Sequence, residues 1–265
     1  LPERAFFEDA VERVAPRLLG KLLVRRAHAG VVAGRIVEVE AYLGPHHATP
    51  DPAAHSHRGP TPRNRVIFGP AGHAYVYSIY GRYFCMNITC EPTGRAGCIL
   101  LRALEPVTGL AAMARNRGLV ALEFPRELDR SLPPLRQMRR KNGASREDQD
   151  HDLPPSSKNA RKGRGTERSA EEGVQAERLV RALASGPSRL CQALAITRAA
   201  DNGVDLLDAH SALQVRDDGF RAQRVLVTAR IGIRHAAELP LRFCLDGHGC
   251  VSGPKSLRGR VVVVR

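Results

Sequence analysis

Apolar positions recur along the chain with two periods, and the changes of period mark out the elements. In EDAVERVAPRLL (8–19), Val11, Val14 and Leu18 fall at helical spacing, and Pro16 interrupts the last turn. KLLVRR (21–26) and VVAGRIVEVEAY (31–42) read as two strands about the turn-like AHAG. AYVYSIYGRYFCMNITC (74–90) and GCILLRALEP (97–106) read as further strands. RVLVTARIGIRH (224–235) alternates: Val225, Val227, Ala229, Ile231 and Ile233 share one face, and Arg224, Thr228, Arg230 and Arg234 share the other. That pattern predicts one half-buried strand over the whole stretch. Helices are predicted at TGLAAMARNR (108–117) and at GPSRLCQALAI (186–196), the second opened by Gly186 and Pro187. The sum is an α+β fold, an antiparallel sheet with helices packed beside it.

Length and charge narrow this picture. The 265 residues supply enough core for one large domain, 1–265. Within it, 136–181 carries 12 basic and 8 acidic residues, no aromatic residue, and clusters of Ser, Gly, Asn and Pro, the composition of a flexible or disordered insertion. The other 219 residues still hold 29 basic against 19 acidic side chains, so the excess behind the formal charge of +14 belongs to the folded body as well. A polyanionic partner is expected, and a cationic substrate is disfavoured. No apolar run approaches the roughly 20 residues of a membrane helix, which predicts a soluble protein without a membrane partner. The six cysteines lie mostly in apolar stretches without a CxxC pair, which predicts buried, reduced thiols and a reducing compartment.

Candidate chemistry gathers in one third of the chain. The two-residue period of RIVEVEAY puts Val37, Val39 and Ala41 on one face and Ile36, Glu38, Glu40 and Tyr42 on the other. A solvated strand face would explain two carboxylates there. Against it, the next segment crowds His46, His47, His55 and His57 into a Pro-rich loop, the kind of place where functional side chains concentrate. Metal binding by these groups is the minority reading, because their spacing matches no familiar ligand signature. All five tyrosines (Tyr42, Tyr75, Tyr77, Tyr80 and Tyr83) fall between 42 and 83, and the chain has no Trp. Tyr75 and Tyr83 are explained as core residues of a strand. For Tyr42, Tyr77 and Tyr80 a second account competes, since rings beside a basic surface are what unstacked bases bind against. Gly81 marks a turn that pushes Tyr80 out at its tip. Arg102, which follows Ile99, Leu100 and Leu101, needs an anionic partner if buried, and Glu40 is a candidate. Asn87 within CMNIT needs hydrogen-bond partners if buried, with structural capping as an equal alternative.

Taken together, RIVEVEAYLGP, AAHSHRGPTPRNRVIFGPAGHAYVYSIYGRYFCMNIT, CILLRALEP, SGPSRLCQALAI and ARIGIRHAAELPLRF resemble, in order, the alkyladenine (3-methyladenine) DNA glycosylase family over nearly the whole chain outside 136–181. The resemblance implies a curved antiparallel sheet with a basic DNA-binding face. It implies a monomeric, intracellular, DNA-associated enzyme acting on damaged purines in double-stranded DNA, without a cofactor or metal. Carried over residue by residue, it implies that Glu40 activates the attacking water, with Arg102 and the main chain of Ile231 helping to hold it. Tyr42, His55 and Tyr77 would line the pocket for the extruded base, the backbone at Ala53 and His55 would read its edge, Asn87 would screen purine substituents, and Tyr80 would wedge into the duplex. The chain departs from the family's pattern in the long insertion and at Arg234, where mammalian members carry glycine.

Elementary chemistry agrees with these roles. Reaction at a glycosidic bond requires the nucleotide to leave the stack, at a cost of a few kcal/mol that falls for poorly paired bases. A positively charged alkylpurine then gains about 0.5–2 kcal/mol from electron-rich rings, and its charge makes it a good leaving group. One carboxylate suffices for such a base. The five lysines (Lys21, Lys141, Lys158, Lys162 and Lys255) are remote from these motifs, which predicts a monofunctional enzyme rather than a Schiff-base lyase. Two rivals remain open at this point: a non-catalytic nucleic-acid-binding module, and a metal-dependent nuclease built on Glu38, Glu40 and the His-rich loop.

Overall fold

The computed structural model describes residues 1–28, 30–119, 178–253 and 259–263. A short helix α1 (Arg4–Phe7) and helix α2 (Val11–Leu18) open the chain. Helix α2 buries Val11, Val14, Ala15 and Leu18 at the predicted spacing and carries Pro16 within it. Strands β1 (Leu22–Ala27) and β2 (Gly30–Tyr42) come next. After a long loop come β3 (Ala74–Ile79), β4 (Tyr83–Cys90), β5 (Gly97–Thr108) and helix α3 (Leu110–Asn116). A helix α4 over 178–184 leads to α5 (Pro187–Ala193), which starts on Pro187 as predicted, and to α6 (Arg198–Asp201). Strands β6 (Leu213–Arg216), β7 (Arg224–Thr228), β8 (Arg242–Leu245) and β9 (Arg260–Val263) complete the described fold.

All named strand pairings are antiparallel, in the order β3-β4-β5-β2-β8-β7-β9, with β1 beside β2 and β6 beside β1. The 13-residue β2 is the organising strand. β5 runs along one edge of it, while β1 pairs with its first half and β8 with Glu38, Val39 and Glu40. Helix α5 packs on β4 and β5, and α3 on α5. The main core fills one side of β2 and β5 against these helices. A smaller cluster of Ile67, Tyr75, Ala96 and Cys98 lies elsewhere, with Tyr42 and Tyr77 packed against it.

Three expectations from the pattern are corrected. First, the β2–β5 register shifts on both sides of Glu38, so that Ile36 opposes Leu104, Glu38 opposes Ala103 and Val39 opposes Leu101. A bulge of this kind inserts a residue and breaks the two-residue alternation. Ile36 therefore joins Val37, Val39 and Ala41 in the core, and does not share a face with Glu38 and Glu40. Second, the predicted strand over 224–235 ends at Thr228. Gly232 there has φ +77°, and both Thr228 and Arg230, expected on the solvent face, are buried. Third, the insertion ends earlier than 181: residues 178–184 are helical, and Leu183 and Ala184 are fully buried. The rest of the 136–181 insertion lies outside the described residues.

All six cysteines are buried free thiols. Among the described residues no helix is long and apolar enough to cross a membrane.

Candidate active site

Past the bulge, Glu38, Glu40 and Tyr42 alternate onto the face of β2 away from the main core, and Arg102 reaches the same place from β5. Both carboxylates are fully buried, so the reading as a solvated face fails. Glu38 accepts four hydrogen bonds: from Arg102 Nε and Arg242 Nε at 2.8 Å each, from Ser252 Oγ at 2.9 Å and from the Ser252 N–H at 2.6 Å. Glu40 is held more sparingly. Its Oε1 accepts from the Ile231 N–H at 2.9 Å and lies 3.3 Å from Arg102 NH1, while Oε2 accepts from the Tyr42 hydroxyl at 3.1 Å. Each carboxylate oxygen offers about two acceptor positions: Glu38 Oε1 is crowded by three donors and its Oε2 takes the Ser252 N–H, whereas Glu40 Oε1 is filled by Ile231 and Arg102 and its Oε2, with Tyr42 alone, keeps one position open.

The segment after β7 explains the Ile231 contact. Arg230, fully buried in its side chain, forms a two-pronged ion pair with Asp51 at 2.8 Å on each prong and donates to the carbonyls of Ala41 and Ala236. This pulls 229–234 out of the sheet and across the end of β2. The Ile231 peptide then serves both partners, its N–H to Glu40 and its carbonyl to Arg102 NH1 at 3.5 Å. Three buried carboxylates (Glu38, Glu40, Asp51) thus meet three buried guanidiniums (Arg102, Arg230, Arg242), the balance that buried charges require. Burial works against the charge of Arg102, but Glu40 and Glu38 outweigh it and hold its pKa above the ordinary value.

Beside this cluster lies a cavity of about 100 Å³ lined by Tyr42, Ala53, His55, Tyr75, Tyr77, Asn87, Cys98 and Ile233. Tyr42 belongs to both, lining the cavity while its hydroxyl touches Glu40. Tyr75 stacks on Tyr77 with ring centres 5.5 Å apart, and His55 stands edge-on to Tyr77 at 4.6 Å. Burial pushes the phenols of Tyr42 and Tyr77 far up, and that of Tyr75 to about 12. All three stay neutral at physiological pH. Desolvation of the imidazole, and then the charge of Arg63, lower the pKa of His55. Its Nδ1 lies 3.0 Å from the Tyr75 hydroxyl. The loop that presents Ala53 and His55 is pinned by Asp51, which accepts from the Leu43 and Ala53 N–H groups, and by Asn64, which donates to the His55 carbonyl at 2.8 Å. A larger apolar groove of about 880 Å³ between α2 and β7–β9 contains none of the predicted site residues.

The β3–β4 hairpin turns through Tyr80 and Gly81, both at positive φ (49° and 71°), with the Arg82 N–H donating to the Ile79 carbonyl. Positive φ at both central residues is the mark of a type I′ turn. Tyr80 projects from its tip, 90% exposed.

The sequence profile of the methylpurine-DNA glycosylase (MPG) family matches residues 5–143 and 156–249. The chain belongs to that family. It is 42% identical over 254 residues to a Koribacter versatilis protein named "Putative 3-methyladenine DNA glycosylase", covering 96% of this chain and 94% of that one. Proteins of the same name from Burkholderia lata (38% over 256 residues, 96% and 92% covered) and Methanoculleus marisnigri (40% over 252 residues, 94% and 96% covered) are similar along their length.

In this methylpurine-DNA glycosylase family member the predicted site residues fall into three groups. Glu40, Tyr42, Arg102 and Ile231 form the carboxylate cluster. Ala53, His55, Tyr77 and Asn87 join Tyr42 around the cavity. Tyr80 stands apart, on the hairpin tip. Of the four loop histidines only His55 lines the cavity, and among the described residues no group of three metal-binding side chains occurs. Sequence reasoning missed Asp51, Arg230, Arg242 and Ser252 in the ion-pair network, and Tyr75, Cys98 and Ile233 in the cavity wall. Arg242 was findable: in LPLRFCL it sits among apolar residues, the same signal that drew attention to Arg102. Asp51 carries no such signal, because its buried partner is 179 residues away.

Proposed function

We propose that the protein is a monofunctional DNA glycosylase that flips damaged purines of the 3-methyladenine, 7-methylguanine, hypoxanthine and ethenoadenine class out of the duplex. It hydrolyses the N-glycosidic bond and leaves an abasic site. The observation that carries the reading is the open acceptor position on Glu40 Oε2, beside Tyr42 and so beside the tyrosine-walled cavity. A water there gives its proton to Glu40 as its oxygen bonds to C1′, and the bonding pair of the glycosidic bond departs with the base. A cationic base leaves neutral and needs no acid. Arg102 and the Ile231 main chain hold the carboxylate and the water in line. Tyr42, His55 and Tyr77 enclose the base, the backbone at Ala53 and His55 meets its edge, and Asn87 screens its substituents. The cavity is far below the about 300–1,000 Å³ of sites for drug-sized ligands, in keeping with one ring system rather than a whole nucleotide.

Tyr80 fills the gap left in the stack, as apolar and aromatic wedges do at kinked base steps. Exposed Arg58, Arg63, Arg82, Arg198 and Arg234 supply phosphate contacts on a basic face; Arg63 lies over the Tyr77 ring at 5.8 Å. A monofunctional course is supported by Lys21, whose ammonium is paired with Asp217 at 2.8 Å, and by the absence of lysine from the cavity wall among the described residues. We place the enzyme on intracellular DNA as a monomer. In the decisive experiment, Glu40→Gln retains binding to a lesion-containing duplex and loses base release by at least about 100-fold. Release at the wild-type rate refutes the assignment of the base.

A further inference from the structure

Water activation by Glu40 leaves Glu38, an equally buried carboxylate two residues away, without a task. Its donors are Arg102, Arg242 and Ser252, none of which lines the cavity, whereas Glu40 accepts from Tyr42, which does, so Glu38 stands one step back from the water that Glu40 is proposed to activate. It does determine where Arg102 points: the guanidinium spends Nε on Glu38 at 2.8 Å and NH2 on Ser252 Oγ at 3.3 Å, which leaves NH1 for Glu40 and Ile231 at the longer distances of 3.3 and 3.5 Å. Glu38 is in turn fixed by Arg242, whose remaining nitrogens hold Thr228 Oγ1 and the Ser252 carbonyl.

We propose that Glu38, anchored by Arg242 and Ser252, is a positioning residue that draws Arg102 away from Glu40 and shares its charge, so that Glu40 keeps an open lone pair and the basicity to use it. This rests on the reading of Glu40 as the base. The charged and titratable groups around Glu40 are few. They are Glu38 and Tyr42 on β2, Arg102 on β5, Arg230 with Asp51 behind it, and Arg242 and Cys244 on β8. The phenol of Tyr42 and the thiol of Cys244 are both raised by burial and stay neutral, and Arg230 is matched by Asp51. Glu38 is then the only carboxylate among the described residues that competes with Glu40 for Arg102.

The test is single-turnover release of 7-methylguanine from a duplex, a cationic leaving base whose rate profile needs no acid, measured from pH 4.5 to 8. Glu38→Gln should lower the plateau rate about 10-fold and move the acid limb of the profile to lower pH by about one unit, because a carboxylate facing an unshared guanidinium holds its proton less well. Glu38→Asp keeps the charge and should keep the limb at the wild-type pH. Glu38→Gln also leaves Arg242 buried without a counterion, so Glu38→Gln combined with Arg242→Gln, which removes both charges, should show the same limb shift in a restored fold. An unmoved limb in either folded variant, or a moved limb in Glu38→Asp, overturns the proposal. If Glu40→Gln is dead while the limb stays put, only this inference falls. If Glu40→Gln still releases base, the reading beneath it falls.

Discussion

At the scale of single residues, the buried carboxylates differ in the donors that hold them. Glu38 and Glu40 are chemically alike, lie on one strand face and are equally buried, yet the first is clamped by two guanidiniums at 2.8 Å and by Ser252, and the second is held by Ile231, Tyr42 and a single guanidinium at 3.3 Å. Asp51 belongs with the first kind, and its loss is expected to be structural. Asp51→Asn strips Arg230 of its counterion inside the protein, where an unpaired charge costs about 3–5 kcal/mol; urea unfolding measures this, and a loss below about 1 kcal/mol contradicts the pairing. His55 sets a pH dependence of its own. Its folded pKa is lowered by desolvation and by Arg63, so the unfolded chain binds a proton more readily, and stability falls as pH drops below the unfolded value of about 6.5. The melting temperature of the wild type should therefore fall more steeply from pH 7.5 to 5.5 than that of His55→Gln; parallel curves would refute the shift. These residues were unevenly legible in the sequence. Strand alternation places Glu40 and Tyr42 together and an apolar context flags Arg102, but the number of donors around a carboxylate depends on Ile231 and Ser252, far along the chain.

At the scale of elements, the hairpin that carries Tyr80 accepts strain in return for reach. A non-glycine residue at positive φ costs about 1–2 kcal/mol, and Tyr80 takes that conformation while touching little. Tyr80→Gly is thus expected to leave thermal stability unchanged or raised by up to about 1 kcal/mol, while base release from a paired duplex falls about 10-fold or more and release from a single strand falls much less. Equal losses on both substrates would argue against a wedge. The pattern predicted this hairpin well because both strands pair in register up to the turn. It failed on 224–235 because alternation cannot distinguish a strand from an irregular segment whose arginine is drawn inward. Alternating Arg and Ile looked like a wet face and a dry one, whereas the Arg230 side chain is the drier of the two.

For the whole molecule, the surplus of positive charge makes the proposed contact with DNA testable. If several arginines share the phosphate contacts as proposed, binding should weaken steeply with salt, by about 0.9 in log affinity per log salt for each phosphate neutralised; fluorescence anisotropy on an undamaged duplex between 50 and 200 mM salt measures the slope, and a slope near zero is incompatible with a basic face. Composition made this charge visible without any structure, and the apolar pattern gave most strands of the sheet. Neither could show that one sheet brings β2, β5 and β8 together so that three acids and three arginines share a site, because that pairing joins residues 38 and 242.

The bulge beside Glu38 has a consequence for how the gene can vary. Because two successive side chains, Ile36 and Val37, both point inward there, losing or gaining one codon between this kink and Tyr42 would turn each later side chain of the strand to the opposite side, sending Glu40 into the oily interior and an apolar side chain in among the buried arginines. Substitutions can drift along this stretch, but its length is locked, and insertions should survive only beyond its ends.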